Sequence, residues 1–247
     1  MGEGPLAGLQ IVVTRPPYEA DALDGALNRL GADTICVPLA GVEPLEDATA
    51  LSSALTELHR YDWLVFTSAN GVRSVRRWSK AASRFRGVRI AAVGPATAAA
   101  VTRQLEVEVS YVPERYAAEE VAAGLEPVRG TRILLPQADR ADPTLAEELR
   151  GRGAHVDAVT AYRIVEYDHP QSVLAELRRA DAVVLMSGTA ARSLARQGGA
   201  GDTLIACIGP KTAATARSVG LEVGLVAREA TAEGIIHALE SHFGESQ

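Results

Sequence analysis

The sequence predicts an α/β protein of two lobes, each a parallel sheet covered by helices, and three observations predict it. The first is a duplication. Ile11–Pro38 (IVVTRPPYEADALDGALNRLGADTICVP) reappears without a gap at Ile133–Thr160 (ILLPQADRADPTLAEELRGRGAHVDAVT), at a constant offset of 122 residues. Ile11 matches Ile133, Leu23 matches Leu145, Leu27 matches Leu149, and Gly31-Ala32 matches Gly153-Ala154. Further blocks repeat as well: TSANGV from Thr67 with MSGTAA from Met186, VGPATAAAV from Val93 with IGPKTAATA from Ile208, and AAEEVAAGL from Ala117 with TAEGIIHAL from Thr231. The order is therefore A, B, A′, B′. The second observation is that short apolar, β-branched runs alternate with segments of helical period, the pattern of strand–helix–strand units. The third is composition: 47% of residues are apolar but only 4% aromatic, so Val, Leu, Ile and Ala must do the packing, as in a parallel sheet covered by helices.

Each element follows from its own residues. Gln10–Thr14 is a strand-like run, and Leu23, Ala26, Leu27 and Leu30 then recur at i, i+3, i+4 and i+7, giving a helix one apolar face. Gly31 ends that helix as a C′ glycine, and Thr34–Val37 is the next strand. Trp63–Phe66 and Ile90–Val93 are the strands of the B block. In the repeat, Ile133–Leu135 opens a strand, Leu145 and Leu149 mark the helix, Gly151 or Gly153 stops it, and Ala158–Ala161 is the following strand. Ala182–Met186 and Leu204–Ile208 complete the B′ block. These runs lack strict alternation, as expected of strands buried on both faces.

Two assemblies satisfy the A, B, A′, B′ order. Each lobe can be a contiguous AB half, or A can join B′ while B joins A′. Val37–Val42 and Val159–Ile164 occupy equivalent positions, both read as extended, and neither is a flexible Gly/Ser linker. Two such segments can pair as an antiparallel ribbon joining the lobes, which favours the crossed assembly. A chain of 247 residues gives each lobe enough material for a core of its own.

Composition also excludes. No window of about 18 apolar residues is present, so no membrane-spanning helix is expected, and MGEGPLAGLQ has neither the basic nor the apolar region of a signal peptide. Cys36 and Cys207 both sit in strand-like runs, which suggests buried thiols in a reducing, cytoplasmic setting. A net charge of −6 gives no general attraction to nucleic acid or anionic lipid. Arg73, Arg76, Arg77, Lys80 and Arg84 have helical spacing, but with few interleaved aromatics and an acidic total charge they read as a solvated face. The five histidines have no metal-ligand spacing, and no Cys-x-x-Cys, Walker loop, dinucleotide fingerprint or nucleophile elbow occurs. No metal or cofactor is expected.

Four turns are left as candidates for chemistry. Gly94-Pro95-Ala96-Thr97 and Gly209-Pro210-Lys211-Thr212 each follow an apolar strand and open a small-residue helix. Proline suits the first helical position, and the free N–H groups and dipole of a helix start favour an anion. One such turn is ordinarily only a turn; two at matched positions point to a shared ligand. Thr67-Ser68-Ala69-Asn70-Gly71 and Ser187-Gly188-Thr189 are the other matched pair. Their hydroxyls are helix caps by default, yet they stand at the carboxyl ends of strands, where open α/β sheets bind ligands. A helix start contributes only about 0.3–1 kcal/mol toward an exposed anion, so four matter for a ligand with many acidic groups. Tyr162 lies in the second extended segment where the first repeat has Ala40, a place from which a phenol can donate a proton.

Taken together, VVTRP (Val12–Pro16), VFTSANGV (Val65–Val72), AVGPAT (Ala92–Thr97), VTAY (Val159–Tyr162), LMSGTAARSL (Leu185–Leu194) and CIGPKTA (Cys207–Ala213) resemble, in order and spacing, the uroporphyrinogen-III synthase family. The resemblance covers almost the whole chain. It implies two flavodoxin-like lobes joined by a two-stranded β ribbon: residues 1–36 and 168–247 in one, 43–158 in the other, and 37–42 with 159–167 as the ribbon. It implies a lyase that cyclises hydroxymethylbilane, a linear tetrapyrrole with eight carboxylates, to uroporphyrinogen III with loss of water and inversion of ring D. Water leaves the hydroxymethyl group of ring A to give an azafulvene, the substituted carbon of ring D attacks it, and a spiro intermediate fragments and recloses. By the same resemblance Tyr162 matches the family's important tyrosine and is the candidate proton donor to the leaving hydroxyl. Thr97, Thr212, Ser68 and Ser187 match its helix-start threonines and strand-end serines. Arg15, Thr67, Asn70, Gly94, Gly188, Gly209 and Lys211 complete the candidate substrate-binding set. The segment after Leu135 departs from the family: relatives often have Arg or Gly near Gln137, and Arg140 is the candidate replacement. A monomer needing no cofactor is expected, with closure about the ribbon. The rival reading is a non-catalytic, two-lobed sensor of a tetrapyrrole or another polyanion.

Overall fold

The computed structural model describes residues 4–79, 81–115, 118–125 and 128–244, with the backbone alone for 17–21 and 118–119. In chain order, the A block forms β1 (Gln10–Val13), α1 (Pro17–Arg29) and β2 (Asp33–Cys36), and β3 (Ala40–Pro44) follows. The B block forms α2 (Thr49–Thr56), β4 (Trp63–Phe66), α3 (Ala69–Trp78), β5 (Arg89–Ala92), α4 (Pro95–Leu105) and α5 (Ala118–Gly124). The A′ block forms β6 (Arg132–Ala138), α6 (Thr144–Gly151) and β7 (His155–Glu166). The remainder forms α7 (Gln171–Leu177), β8 (Ala182–Leu185), α8 (Gly188–Arg196), β9 (Leu204–Cys207), α9 (Pro210–Ser218), β10 (Leu225–Val226) and α10 (Ala232–Gly244).

Contacts divide the chain into two compact units, Met1–Gly41 with Val165–Gln247, and Val42–Ile164. A and B′ share one sheet, in the order β10-β9-β8-β1-β2, and every pairing in it is parallel. Counted within the unit this is 2-1-3-4-5, the flavodoxin-like doubly wound order, whose switch point lies between β1 and β8. B and A′ share the second sheet, β3-β7-β6-β4-β5, with Tyr111 bridging Ala91 in parallel beyond β5. Its switch point lies between β6 and β4, the same place in the permuted order.

The sheets are buried on both faces, as parallel sheets must be. In the first unit Val12, Val183, Leu185 and Cys207 face one cluster, while Ile11, Val13, Val184 and Ala206 face the other. In the second, Leu64 and Phe66 face one cluster and Trp63 and Val65 the other. None of these four clusters mixes residues of the two units.

The repeat is kept in backbone detail. Gly31 and Gly153 have φ of 93° and 92°, a left-handed conformation that glycine reaches without the Cβ penalty. Gly151, the alternative helix stop, is still helical. Ala32 and Ala154 each return an N–H to the leucine five residues before, at 3.2 and 3.1 Å. The repeat also starts earlier than the sequence comparison placed it: Gly8 donates to the Gly31 carbonyl as Gly130 does to that of Gly153. The arginine run does not share one helix. α3 ends at Trp78, Arg84 lies in a separate 3-10 turn (Ala82–Phe85), and Lys80 falls outside the described residues.

Candidate functional site

In the Val42–Ile164 unit the site begins where β4 ends. Ser68 is the N-cap of α3, with φ −157° and ψ 156°, and its Oγ accepts the Gly71 N–H at 3.2 Å. A Cβ on Gly71 would lie 3.1 Å from the Pro136 carbonyl, so the bare residue lets the helix start lie against the end of β6. The Ser68 hydroxyl also meets the Tyr162 hydroxyl at 2.8 Å, across 94 residues of sequence.

A β-bulge aims that tyrosine. The register runs Gln137↔Thr160 and then Ala138↔Tyr162, so Ala161 is an extra residue in β7. A bulge of this kind turns a side chain that regular alternation would send to the other face. Ala161 and Tyr162 therefore both enter the core, and Tyr162 is only 5% exposed. Burial raises the phenol above its ordinary value; the Ser68 hydrogen bond and the Arg73 charge pull it down, and Asp139 pushes it up. Burial wins, so the group is held protonated.

The neighbouring helix start is α4, capped by Gly94 in extended backbone with Pro95 at its first position. Thr97, one turn in, is 7% exposed, and its hydroxyl has no partner among the described residues. It is not one of the sealed polar atoms. Thr67 is exposed, and the Asn70 side-chain oxygen is occupied by the Arg73 guanidinium.

The Met1–Gly41 and Val165–Gln247 unit repeats this without the tyrosine. Ser187 caps α8 with φ −158° and ψ 156°, and its Oγ accepts the Ala190 N–H at 3.1 Å. Gly188 touches α9: a Cβ there would sit 2.9 Å from Thr215 Oγ1. α9 starts at Gly209 and Pro210, Lys211 is exposed, and Thr212 is 8% exposed with an unpartnered hydroxyl like that of Thr97. At the end of β1, Thr14 donates to the Val184 carbonyl at 2.7 Å. Arg15 follows, and its carbonyl accepts the Cys36 thiol at 3.0 Å. Burial, then the Asp24 charge, push the Cys36 thiol up; burial pushes Cys207 to about 11. Both cysteines are free.

Within each unit, then, the turns that carry the candidate residues lie at the carboxyl ends of neighbouring strands, β4 and β5 in one and β1, β8 and β9 in the other, and Tyr162 in β7 stands opposite the last residue of β6. Reading the sequence missed a matched pair of arginines. Arg73 folds back on Asn70, and Arg192 on Thr189 at 3.2 Å, each five residues after its capping serine. The common spacing from Ser68 and Ser187 was the available signal. Two cavities lie elsewhere in the first unit. One of about 640 Å³ lies between β10 and α10, beside Arg228, Glu233 and His237, and one of about 530 Å³ lies beside Asp202 and Glu222. Neither contains a candidate residue. Among the described residues no His, Cys, Asp and Glu group has the makings of a metal site, and no helix is long and apolar enough to cross a membrane.

Comparison with known proteins bears on the family and the fold. The family model described as uroporphyrinogen-III synthase HemD matches residues 21–237. The uroporphyrinogen-III synthase of Synechococcus elongatus is 28% identical over 267 aligned residues, covering 97% of both chains. The chloroplastic uroporphyrinogen-III synthase of Oryza sativa is 28% identical over 255, covering 96% of this chain and 82% of that one. Among solved structures, a mutant uroporphyrinogen III synthase from Thermus thermophilus superposes with a TM-score of 0.67 at 15% identity, covering 97% of this chain and all of that one. The Helicobacter pylori uroporphyrinogen-III synthetase gives 0.63 at 18%, covering 98% of this chain and all of that one. Both share the fold described above.

Proposed function

The chain belongs to the uroporphyrinogen-III synthase HemD family, and on that premise we propose that it cyclises hydroxymethylbilane to uroporphyrinogen III. The observation that carries this reading is the duplicated pair of helix starts. Ser68 and Ser187 cap α3 and α8 in the same backbone conformation, and each has a glycine-proline start beside it, at α4 and α9. Backbone N–H groups, dipoles and the Thr97 and Thr212 hydroxyls suit a ligand with many carboxylates. Arg15 and Lys211 add positive charge. An acidic total charge of −6 does not oppose this, because the donors are local.

In this reading Tyr162 gives its proton to the hydroxymethyl oxygen of ring A. The C–O bond breaks with its electron pair, water leaves, and the pyrrole nitrogen supplies the electrons. The N–H proton that the resulting cation must lose returns to the phenolate, leaving a neutral azafulvene. The substituted carbon of ring D then attacks, and the spiro intermediate fragments and recloses with ring D inverted. Left alone, the substrate can close without inversion, so the enzyme must hold one geometry. Positioning of this kind supplies about 7–11 kcal/mol, and a general acid about 10²–10⁴-fold. Placement by the four turns therefore outweighs any single side chain. We take residues 37–42 and 159–167 as the ribbon that joins the lobes in sequence, and the enzyme as a cytoplasmic monomer.

The test is product-isomer analysis. Purified protein incubated with hydroxymethylbilane yields predominantly the type III isomer if the reading is right. An unchanged spontaneous ratio, despite binding, would identify a sensor instead.

A further inference from the structure

The two capping serines share one backbone conformation but not one set of partners. Ser68 and Ser187 each accept an N–H from the third residue of the helix they cap, at 3.2 and 3.1 Å. Only Ser68 holds a second group, the Tyr162 hydroxyl at 2.8 Å. Among the described residues the Ser187 hydroxyl has no side-chain partner, and the position equivalent to Tyr162 in the first repeat is Ala40. We infer that Ser68 is a positioning residue that presents the proton of Tyr162 to the substrate, and that the repeats have divided their labour, with proton transfer at the α3 start and binding alone at the α8 start. The inference rests on the function proposed above.

A serine hydroxyl has one proton and two lone pairs. The Gly71 N–H uses one lone pair. If Ser68 spends its proton on the Tyr162 oxygen, the phenol proton is directed away from Ser68 and is free for an acceptor. If Tyr162 donates to Ser68 instead, its proton is spent. An arriving hydroxymethyl oxygen selects the first arrangement. Once the phenol has given its proton up, the bond from Ser68 becomes a charge-assisted one, about twice as strong. The C–O bond of the substrate breaks, water leaves, and the pyrrole N–H proton restores the phenol. Burial disfavours the phenolate; the Ser68 bond and the Arg73 charge oppose burial. The bulge at Ala161 holds the ring in the core, so the tyrosine cannot reorient freely to replace the lost partner.

The experiment compares full-length Ser68→Ala, Ser68→Thr and Ser187→Ala. It measures kcat and KM with hydroxymethylbilane, together with the phenol titration of Tyr162, taken as the ultraviolet difference from Tyr162→Phe. Ser68→Ala is expected to move the titration to higher pH. It should also lower kcat by about tenfold, part of what a whole general acid supplies, with KM little changed. Ser68→Thr should restore both. Ser187→Ala should lose the same cap and shift KM, leaving the titration where it was. Ser68→Gly, which costs a helix cap only a few tenths of a kcal/mol, serves if the alanine variant does not fold. A folded Ser68 variant with unmoved titration and kcat overturns the inference, as does an equal loss of kcat in Ser187→Ala. If the wild-type chain makes no type III isomer, it is the enzyme reading that falls. The titration needs no substrate and still decides whether Ser68 governs Tyr162.

Discussion

Two buried phenols are held protonated above their ordinary range. Tyr61 is pushed up to about 12 by burial first and then by its hydrogen bond to Asp157, with Arg132 acting the other way. Tyr162 is raised for its own reasons. Above the ordinary value of 10.0 the unfolded chain gives up these protons while the folded chain keeps them. Their contribution is therefore complete below pH 10.0 and is lost as pH rises toward the folded values. Urea midpoints should fall between about pH 10 and about pH 12, and Tyr61→Phe should flatten that fall. Tyr162→Phe tests the proposed acid: kcat should drop by about 10²-fold, and full retention of activity would remove the role. The partnership of Tyr162 with Ser68 was not legible in the sequence. It depends on one inserted residue in β7, and bulges are set by pairing rather than by local residue type.

At the scale of elements, two glycines make opposite predictions. Gly188 opens α8 against α9. A Cβ there would lie 2.9 Å from Thr215 Oγ1 and 3.1 Å from Thr215 Cβ and Cγ2, and Thr215 is tied down by its bond to the Lys211 carbonyl. Gly188→Ala should cost about 1–3 kcal/mol, read as a fall in Tm of about 2–4 °C for each kcal/mol. Gly25 lies within α1, where a Cβ would meet only the mobile end of Arg29 at 3.5 Å. Gly25→Ala should raise stability by about 0.5–1 kcal/mol, measured by the same melts. The central strands were legible because burial on both faces leaves a continuous apolar run; Trp63–Phe66 is the plainest case. Edge elements were not. β10 is two half-buried residues, and Tyr111 is a single bridge. β7 is longer than its apolar core because its pairing continues through polar positions to Glu166. The helix starts were visible because glycine, proline and hydroxyl residues have few other reasons to recur together.

At the scale of the molecule, the duplication revealed the two-sheet architecture, and the extended character of Val37–Val42 and Val159–Ile164 favoured the crossed assembly. Each unit has a core on either side of its own sheet, and Val42–Ile164 is continuous in sequence. That segment expressed alone should unfold cooperatively in urea, with a slope about half that of the full chain, since the slope scales with the surface exposed. A fragment lacking a cooperative transition would show that its core is insufficient alone.

The crossing has a consequence for biosynthesis. β1 leaves the ribosome well before β8, yet the Thr14 hydroxyl is answered by the Val184 carbonyl, 170 residues later. At about 5–20 residues per second, the wait is roughly 10–30 s. Meanwhile the middle of the polypeptide has everything it requires to fold. A nascent chain thus carries a finished body behind an orphaned leading strand and helix, sticky on the side awaiting β8, and it is this species that holding chaperones should recognise.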